Sequence, residues 1–313
     1  MKISIERSVF LNSLSHVQNI VEKKNTIPIL SNILISTNAN NITLCATDMD
    51  IVISELVNCK VIEEGSVTTS AHTLYEIVRK IQEGSDIELI SNDGNKLSVR
   101  SGKSKFSLAC LPKDDFPKID EVKLEDEFVI KNEVLKNIID KTKFAISNEE
   151  TRYYLNGLYF HSVKINDEKK LRAVSTDGHR LAKFEAQLPE GINNIPGVII
   201  PKKTIGEVRK LLDEFNEDVK ISLNENKIVF YFKNIILSSK LIDGSFPDYE
   251  KVIPQNNDKT FLVDTNLIYE AVDRVSTVSD EKSKSVKLVI FNNLVSLSSN
   301  SAETGSGAED LII

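Results

Sequence analysis

The chain has 313 residues, room for two ordinary domains or three small ones, and its 41% hydrophobic and 27% charged content excludes wholesale disorder. No apolar run approaches the roughly 18 residues of a membrane span. The opening MKISIERSVF lacks the apolar core of a secretory signal, and Cys45, Cys59 and Cys110 form no Cys-x-x-Cys pair, which points to a reducing, cytoplasmic setting without a disulfide framework or thiolate zinc site.

In chain order, Ile3 and Ile5 alternate as a short strand that runs into apolar positions of helical period at Val9, Phe10, Leu14, Val17 and Val21. Strands are expected over residues 29–36, 41–46 and 51–61. A second helix is expected over residues 71–82, with Leu74, Ile77, Val78 and Ile81 on one side and Gly84 as its C-terminal stop. Strands over residues 87–91, 96–101 and 106–109 close the unit, the first two joined by a turn at Asn92-Asp93-Gly94.

The same order then recurs. At an offset of 125 positions, Ile3, Ile5, Val9 and Leu14 fall on Phe128, Ile130, Val134 and Ile139. Leu30, Ile33 and Ile35 fall likewise on Leu155, Leu158 and Phe160. Val78-Arg79-Lys80-Ile81 returns as Val208-Arg209-Lys210-Leu211, and Phe116-Pro117 as Phe246-Pro247. A third copy begins at Phe261 and Val263, continues through Leu267 and Val272, and reaches Val295-Ser296-Leu297, the counterpart of Ile42-Thr43-Leu44. There the sequence stops. The class is α+β: tandem repeats of two helices on antiparallel sheet, two complete copies and a partial third. Polar, acidic stretches set the domains at residues 1–122, 123–252 and 253–313.

The net charge of −7 excludes a uniformly basic coat, so a surface for a polyanion must be local. Arg79-Lys80 and Arg209-Lys210 occupy matching places on the second helix of each complete copy, beside residues that face the sheet. Lys202 and Lys203 lie seven residues before Arg209 and Lys210, two turns along the same helix, and Lys136 and Lys143 repeat that spacing on the first helix. Acidic residues collect instead in linkers and hairpins, as at Asp114-Asp115, Glu125-Asp126-Glu127 and Glu149-Glu150. Such cations also keep any surface helix solvated, but their recurrence in register suggests one extended positive surface. Its contacts would reach phosphate, so binding would be independent of base sequence and weaken with salt. Tyr153-Tyr154 reads equally as core or as an exposed aromatic pair that stacks on bases.

The most enzyme-like segment is Thr176-Asp177-Gly178-His179-Arg180-Leu181. Asp177 and His179 suit an acid–base pair, and with Arg180 a phosphoesterase or nuclease. A polar loop around a permissive glycine explains the same residues. The four histidines, His16, His72, His161 and His179, have no metal-ligand spacing, and no cofactor motif is present.

The sequence resembles the bacterial sliding clamps, the beta subunit of DNA polymerase III. The resemblance rests on Thr26-Ile27-Pro28-Ile29-Leu30, Arg100-Ser101-Gly102-Lys103-Ser104-Lys105-Phe106-Ser107-Leu108, Asp115-Phe116-Pro117, Arg152-Tyr153-Tyr154-Leu155-Asn156-Gly157, the 176–181 segment and Lys240-Leu241-Ile242-Asp243-Gly244-Ser245-Phe246-Pro247-Asp248-Tyr249. These span the chain in the family's order. The resemblance implies a non-catalytic processivity factor, a homodimeric ring of three domains per subunit that encircles double-stranded DNA with its helices inward, in the cytoplasm at the nucleoid. Its implied partners are the polymerase III catalytic subunit, the clamp loader, and other polymerases and repair proteins carrying clamp-binding peptides.

Residue by residue, the resemblance implies a peptide pocket between the second and third domains at Leu155, Thr176, Gly178, His179, Arg180, Leu181, Pro247, Lys251 and Val252, with Lys251 in place of an arginine. It implies DNA contacts at Lys24, His72, Glu149, Tyr153 and Tyr154, where Lys24 and His72 replace arginines and Glu149 a glutamine. Ring closure would pair the strand near residues 103–108 with that near 302–312. Arg100, Lys103 and Lys105 would then face Glu303, Glu309 and Asp310, with Phe106 against Val278. Family members run on beyond the counterpart of Ile313. A truncated, monomeric clamp that binds partners without encircling DNA is therefore the alternative expectation.

Overall fold

The structure, a computed structural model, describes residues 1–22, 26–92, 95–118, 126–280 and 284–313. Lys24, the Asp93-Gly94 part of the expected turn and Glu125 lie outside them. The chain divides into two compact units, Met1–Phe246 and Pro247–Ile313.

The first unit contains two copies of one pattern. Copy one comprises β1 (Lys2–Glu6), α1 (Arg7–Ile20), β2 (Asn32–Asn38), β3 (Asn41–Thr47), β4 (Ile51–Asn58), β5 (Lys60–Glu63), β6 (Ser66–Ser70), α2 (Ala71–Lys80), β7 (Asp86–Ile90), β8 (Lys96–Ser101) and β9 (Ser104–Ala109). Copy two comprises β10 (Asp126–Ile130), α3 (Asn132–Thr142), β11 (Gly157–Ile165), β12 (Glu168–Thr176), β13 (Leu181–Gln187), β14 (Val198–Pro201), α4 (Lys202–Glu214), β15 (Val219–Leu223), β16 (Lys227–Tyr231) and β17 (Ile235–Lys240). Each helix exists because one stripe is apolar. Helix α2 buries Ala71, Leu74 and Val78 and is capped by Ser70, whose hydroxyl accepts the Thr73 N–H; α4 buries Ile205, Val208, Leu211 and Leu212.

Three antiparallel sheets carry these helices, in the orders β5-β1-β7-β8-β9, β13-β12-β11-β14 and β10-β15-β16-β17-β4-β3-β2-β6. The last joins the copies. Strand β17 pairs with β4 through Ile235 opposite Glu55, Leu237 opposite Ile53 and Ser239 opposite Ile51, so half of each copy forms one continuous sheet. Each copy also pins its closing Phe-Pro segment onto a sheet. Phe116 is buried with Ile29, Leu30 and Cys45, and burial pushes the Cys45 thiol up to about 12. Phe246 stacks on Tyr159 with centroids 4.8 Å apart. Gly197 makes room for that ring, because a Cβ there would collide with the Tyr159 hydroxyl.

Four expected boundaries move. Pro28 opens a short 3-10 turn, Pro28–Ser31, which delays β2 to Asn32. The long third strand breaks at Cys59, because β4 pairs with β3 whereas β5 crosses to pair with β1 in another sheet. Helix α2 stops at Lys80, capped by Ile81 in extended conformation, and Gly84 with φ +73° shapes the turn beyond. Helix α3 ends at Thr142, so Lys143 stands in the turn after it.

The second unit consists of α5 (Thr265–Ser276) on the antiparallel sheet β18 (Lys287–Phe291), β19 (Leu294–Ser301) and β20 (Gly305–Ile312). Its core is Ala271, Val275, Val295 and Leu297, and Leu262, Leu267, Tyr269, Ile290 and Phe291 are exposed. The strand expected at Phe261 and Val263 is absent. In the complete copies that strand pairs with one following the second helix (β1 with β7, β10 with β15), and the described residues of this unit contain no such partner. No described helix is long and apolar enough to cross a membrane.

Candidate functional site

The repeated cations separate into two groups. Arg79 and Lys80 are 54% and 74% exposed, and their side chains pair with Glu76 on their own helix, at 2.8 and 3.8 Å. Lys210 is exposed and pairs with Glu207, and the exposed Lys202 donates to Asn148 Oδ1 at 2.6 Å. The remainder hold the fold together. Arg209 is 20% exposed, its Nε 2.9 Å from Asp140 on α3 and its Nη1 2.6 Å from Asp213. Lys203 is ion-paired with Asp48 of copy one and donates to the Ile20 carbonyl at 2.9 Å. His72 uses both ring nitrogens within copy one, 2.9 Å from Gln18 Oε1 and 3.2 Å from the Val21 carbonyl. The charge pattern alone concealed this, because Asp140, Asp213, Glu207 and Glu76 are helix residues and the acids are not confined to linkers and hairpins.

A second cluster surrounds the turn between β12 and β13. Thr176 Oγ1 donates to the Arg180 carbonyl at 2.8 Å and accepts the Gly178 N–H at 3.0 Å. Asp177 accepts from the backbone N–H groups of His179 and Arg180 and from Arg180 Nε, each at 3.0 Å. Burial alone would raise the Asp177 carboxyl, but these donors outweigh it and hold the group at about 2. It is a turn-former, ionised far below neutrality, and its bond to His179 is to the main chain. The acid–base pair of the enzymatic alternative is therefore not assembled, and the described residues hold no group of three or more potential metal ligands.

Arg152 ties this turn to the tyrosine loop. It grips Glu149 through Nε and Nη2 at 2.8 and 2.6 Å, and Nη2 also donates to the Asp177 carbonyl at 3.0 Å. Gly178, with φ +89°, stands where a Cβ would strike that guanidinium. Tyr153 is exposed and Tyr154 half-buried, their rings edge to face at 5.8 Å against Gly244. Leu155 is buried and Leu181 half-buried. Beside them Arg180 donates to the Phe144 carbonyl at 2.7 Å and lies 5.7 Å over the Phe144 ring, which is exposed. In the sequence Arg152 stands only as the first residue of a segment shared with the family, with no role attached, and Phe144 is not singled out. In the second unit Pro247, Lys251 and Val252 are all exposed, and Lys251 pairs with Asp248 at 2.9 Å.

The strands expected at ring closure are both sheet edges: β9 ends the five-stranded sheet and β20 the three-stranded one. Phe106 is exposed on β9 and lines a cleft of about 970 Å³ with Ile77, Lys80 and Ile81 of the α2 region. Arg100 lies on β8 beside it, and Lys103 occupies the turn between the two strands. In the second unit Glu303 is exposed in the turn before β20. Glu309 accepts from Arg274 Nε and Nη2 at 3.0 and 2.7 Å, and a Cβ on Gly307 would come within 3.0 Å of Val278.

Residues 1–120 match the N-terminal domain of the DNA polymerase III beta subunit, residues 129–248 its central domain and residues 250–312 its C-terminal domain. The beta sliding clamp of Caulobacter vibrioides is 47% identical over 312 residues, covering 99% of this chain and 84% of that protein. That of Escherichia coli K12 is 32% identical over the same shares. Among solved structures, the DnaN sliding clamp (DNA polymerase III subunit beta) of Bartonella birtlesii bound to griselimycin superposes with a TM-score of 0.95 at 45% identity, covering 100% of this chain and 84% of that one. The Pseudomonas aeruginosa clamp bound to griselimycin gives 0.89 at 34% identity, with the same coverage. With three domains matched in order on a duplicated α+β frame, the chain belongs to the DNA polymerase III beta subunit family, the beta sliding clamps, and is as such a non-catalytic processivity factor of a DNA polymerase.

Proposed function

We propose that two copies of this chain close head to tail around duplex DNA, and that the ring tethers its polymerase and other partners by short hydrophobic peptides. One observation carries this reading: the β17–β4 joint inside the first unit is a template for a joint between chains. Phe106 on β9 is the counterpart of Leu237 on β17, each lying opposite a buried residue of the preceding strand, Val99 or Phe230. Gly307 on β20 is the counterpart of Ile53 on β4, two residues before the glutamate paired with Leu297 or Leu44. Since Leu237 lies opposite Ile53, Phe106 of one chain falls opposite Gly307 of the next, beside Val278. On the other face Lys103 and Lys105 then run along Asp310, so the edges complement each other in charge as well as shape.

The exposed cations Arg79, Lys80, Lys202 and Lys210 support a phosphate-facing surface that reads no bases. The half-buried Leu181, the exposed Phe144 and the rigid 176–181 turn support an apolar peptide seat on the first unit. Under this reading the protein works in the cytoplasm on nucleoid DNA, with the polymerase III catalytic subunit and the clamp loader as its first partners. The test is topological. Protein loaded on nicked circular DNA should resist high salt and leave when the circle is cut, and it should sediment at twice the chain's mass. A monomer that dissociates equally from circular and linear DNA overturns the reading.

A further inference from the structure

Helix α4 is fastened to copy one near both ends. At its start Lys203 reaches Asp48 and the Ile20 carbonyl; in its last turn Glu214 Oε2 lies 2.8 Å from His16 Nε2. His16, on α1, is buried, and its Nδ1 lies 2.8 Å from Oε2 of Glu55, a buried residue of the joint strand β4. Glu55 Oε1 accepts from Ser13 Oγ at 2.7 Å and from Asn234 Nδ2 at 3.3 Å. Asn234, in the turn before β17, also donates to the Leu56 carbonyl and accepts the Leu56 N–H. One imidazole thus sits among α1 and β4 of copy one and α4 of copy two, within a single hydrogen-bonded cluster.

A ring with a carboxylate oxygen at each nitrogen needs both N–H groups, so the geometry calls for imidazolium. The neutral ring would turn a lone pair toward one of the carboxylates. The other charged groups on this cleft come from α4: Glu207 and Lys210, which bond each other at 2.8 Å. Helix α2 packs on α1 but directs His72 to Gln18. The repeat supplies a contrast. The counterpart of His16 in the third copy is Arg274 and that of Glu55 is Glu309, the same cation–carboxylate bond made with a cation that does not titrate.

We propose that His16 is a titratable pin: as imidazolium it locks α4 of copy two and the β17–β4 joint to copy one, and loss of its proton to solvent loosens that joint. Burial opposes the charged ring, but Glu55 and Glu214 outweigh it, so the His16 pKa is raised above the ordinary 6.5. A folded value raised in this way makes the pin's contribution complete below pH 6.5, and the contribution is lost as pH rises through the raised value.

The test uses the full chain, with imidazole nitrogen NMR to follow the ring and hydrogen exchange at the Leu56 amide to follow the joint. His16 should be doubly protonated at pH 6.5 and titrate above it, and Glu55→Gln should move that titration down. Leu56 protection, corrected for the intrinsic pH dependence of exchange, should fall on the order of tenfold across the same titration, as expected for losing a charge-assisted bond. His16→Gln should abolish this pH step. Wild-type His16 titrating at or below 6.5, or Leu56 protection that ignores the titration, overturns the proposal.

Discussion

Arg209 on α4 donates its Nε to Asp140 on α3 at 2.9 Å, so a cation that the repeat pattern marks for a polyanion instead braces two helices of the protein itself. Its Nη1 lies 2.6 Å from Asp213, whose carboxyl this guanidinium and the Lys136 ammonium, 2.8 Å away, hold at about 2. Arg209→Ala is expected to lower stability by about 1 kcal/mol, the upper range for partly exposed ion pairs, and to lower the thermal midpoint accordingly. An unchanged midpoint would show that the bridge contributes nothing.

Arg79 and Lys80 should behave in the opposite way. They are more exposed than Arg209 and share one acid, Glu76, so their removal leaves no buried group unpaired. The double alanine variant should unfold within about 0.5 kcal/mol of the wild type. Its DNA affinity should fall uniformly across sequences, and the slope of log K against log salt should shrink by about one per lost phosphate contact. A salt slope identical to that of the wild type would remove both residues from the interface.

The repeat was legible because each copy must bury the same stripes: Ile3, Ile5, Leu14, Ile33 and Ile35 recur as buried Phe128, Ile130, Ile139, Leu158 and Phe160. The fate of the cations was not legible. Whether a lysine on a helix meets solvent or a carboxylate depends on which elements the sheet joint brings together, and nothing near Lys203 in sequence indicates Asp48. The His16–Glu55–Glu214 cluster was hidden for the same reason, its members being up to 198 positions apart. The 176–181 turn read correctly as a loop around a glycine, but the need for Gly178 appears only with the Arg152 guanidinium beside it.

That crowding yields a substitution test. Gly178→Ala adds a Cβ at φ +89° and drives it into Arg152. The combined strain should destabilise the protein by about 1–3 kcal/mol. It should also release Arg152 from Glu149 and the Asp177 carbonyl, shifting the Tyr153 and Tyr154 side-chain resonances. Arg152→Ala relieves the collision, so the double variant should recover part of the loss. Full additivity of the two substitutions would mean that the residues do not interact.

Asp177 sets the acid side of the turn's stability. Its folded value of about 2 lies below the ordinary 3.8, so its contribution is present above pH 3.8 and disappears as pH falls toward 2. Asp177→Asn keeps the size of the side chain but loses its charge toward the Arg180 guanidinium and the two N–H donors. The variant should be less stable than wild type at pH 7, and the difference should narrow between pH 4 and pH 2. A gap that stays constant through that window would assign the turn's rigidity to Thr176 alone.

The ring-closing register makes the sharpest demand, because it assigns Phe106 a partner in another chain. Phe106 stands on the core side of β9, opposite buried Val99, yet it is exposed within one chain. If β20 of a second chain covers it as β4 covers β17, Gly307 leaves the space its ring fills, below Val278. Phe106→Asp would place a charge in that space and should convert a sedimenting dimer to a monomer while leaving the circular dichroism of the chain intact. Gly307→Leu should do the same from the other side, by filling the space and colliding with Val278. Lys105→Glu, on the opposite face and nearer solvent, should weaken the dimer by about 1 kcal/mol or less and do so chiefly at low salt. A dimer indifferent to Phe106→Asp and Gly307→Leu would mean that the two edges do not meet, and the intramolecular joint would lose its standing as a template.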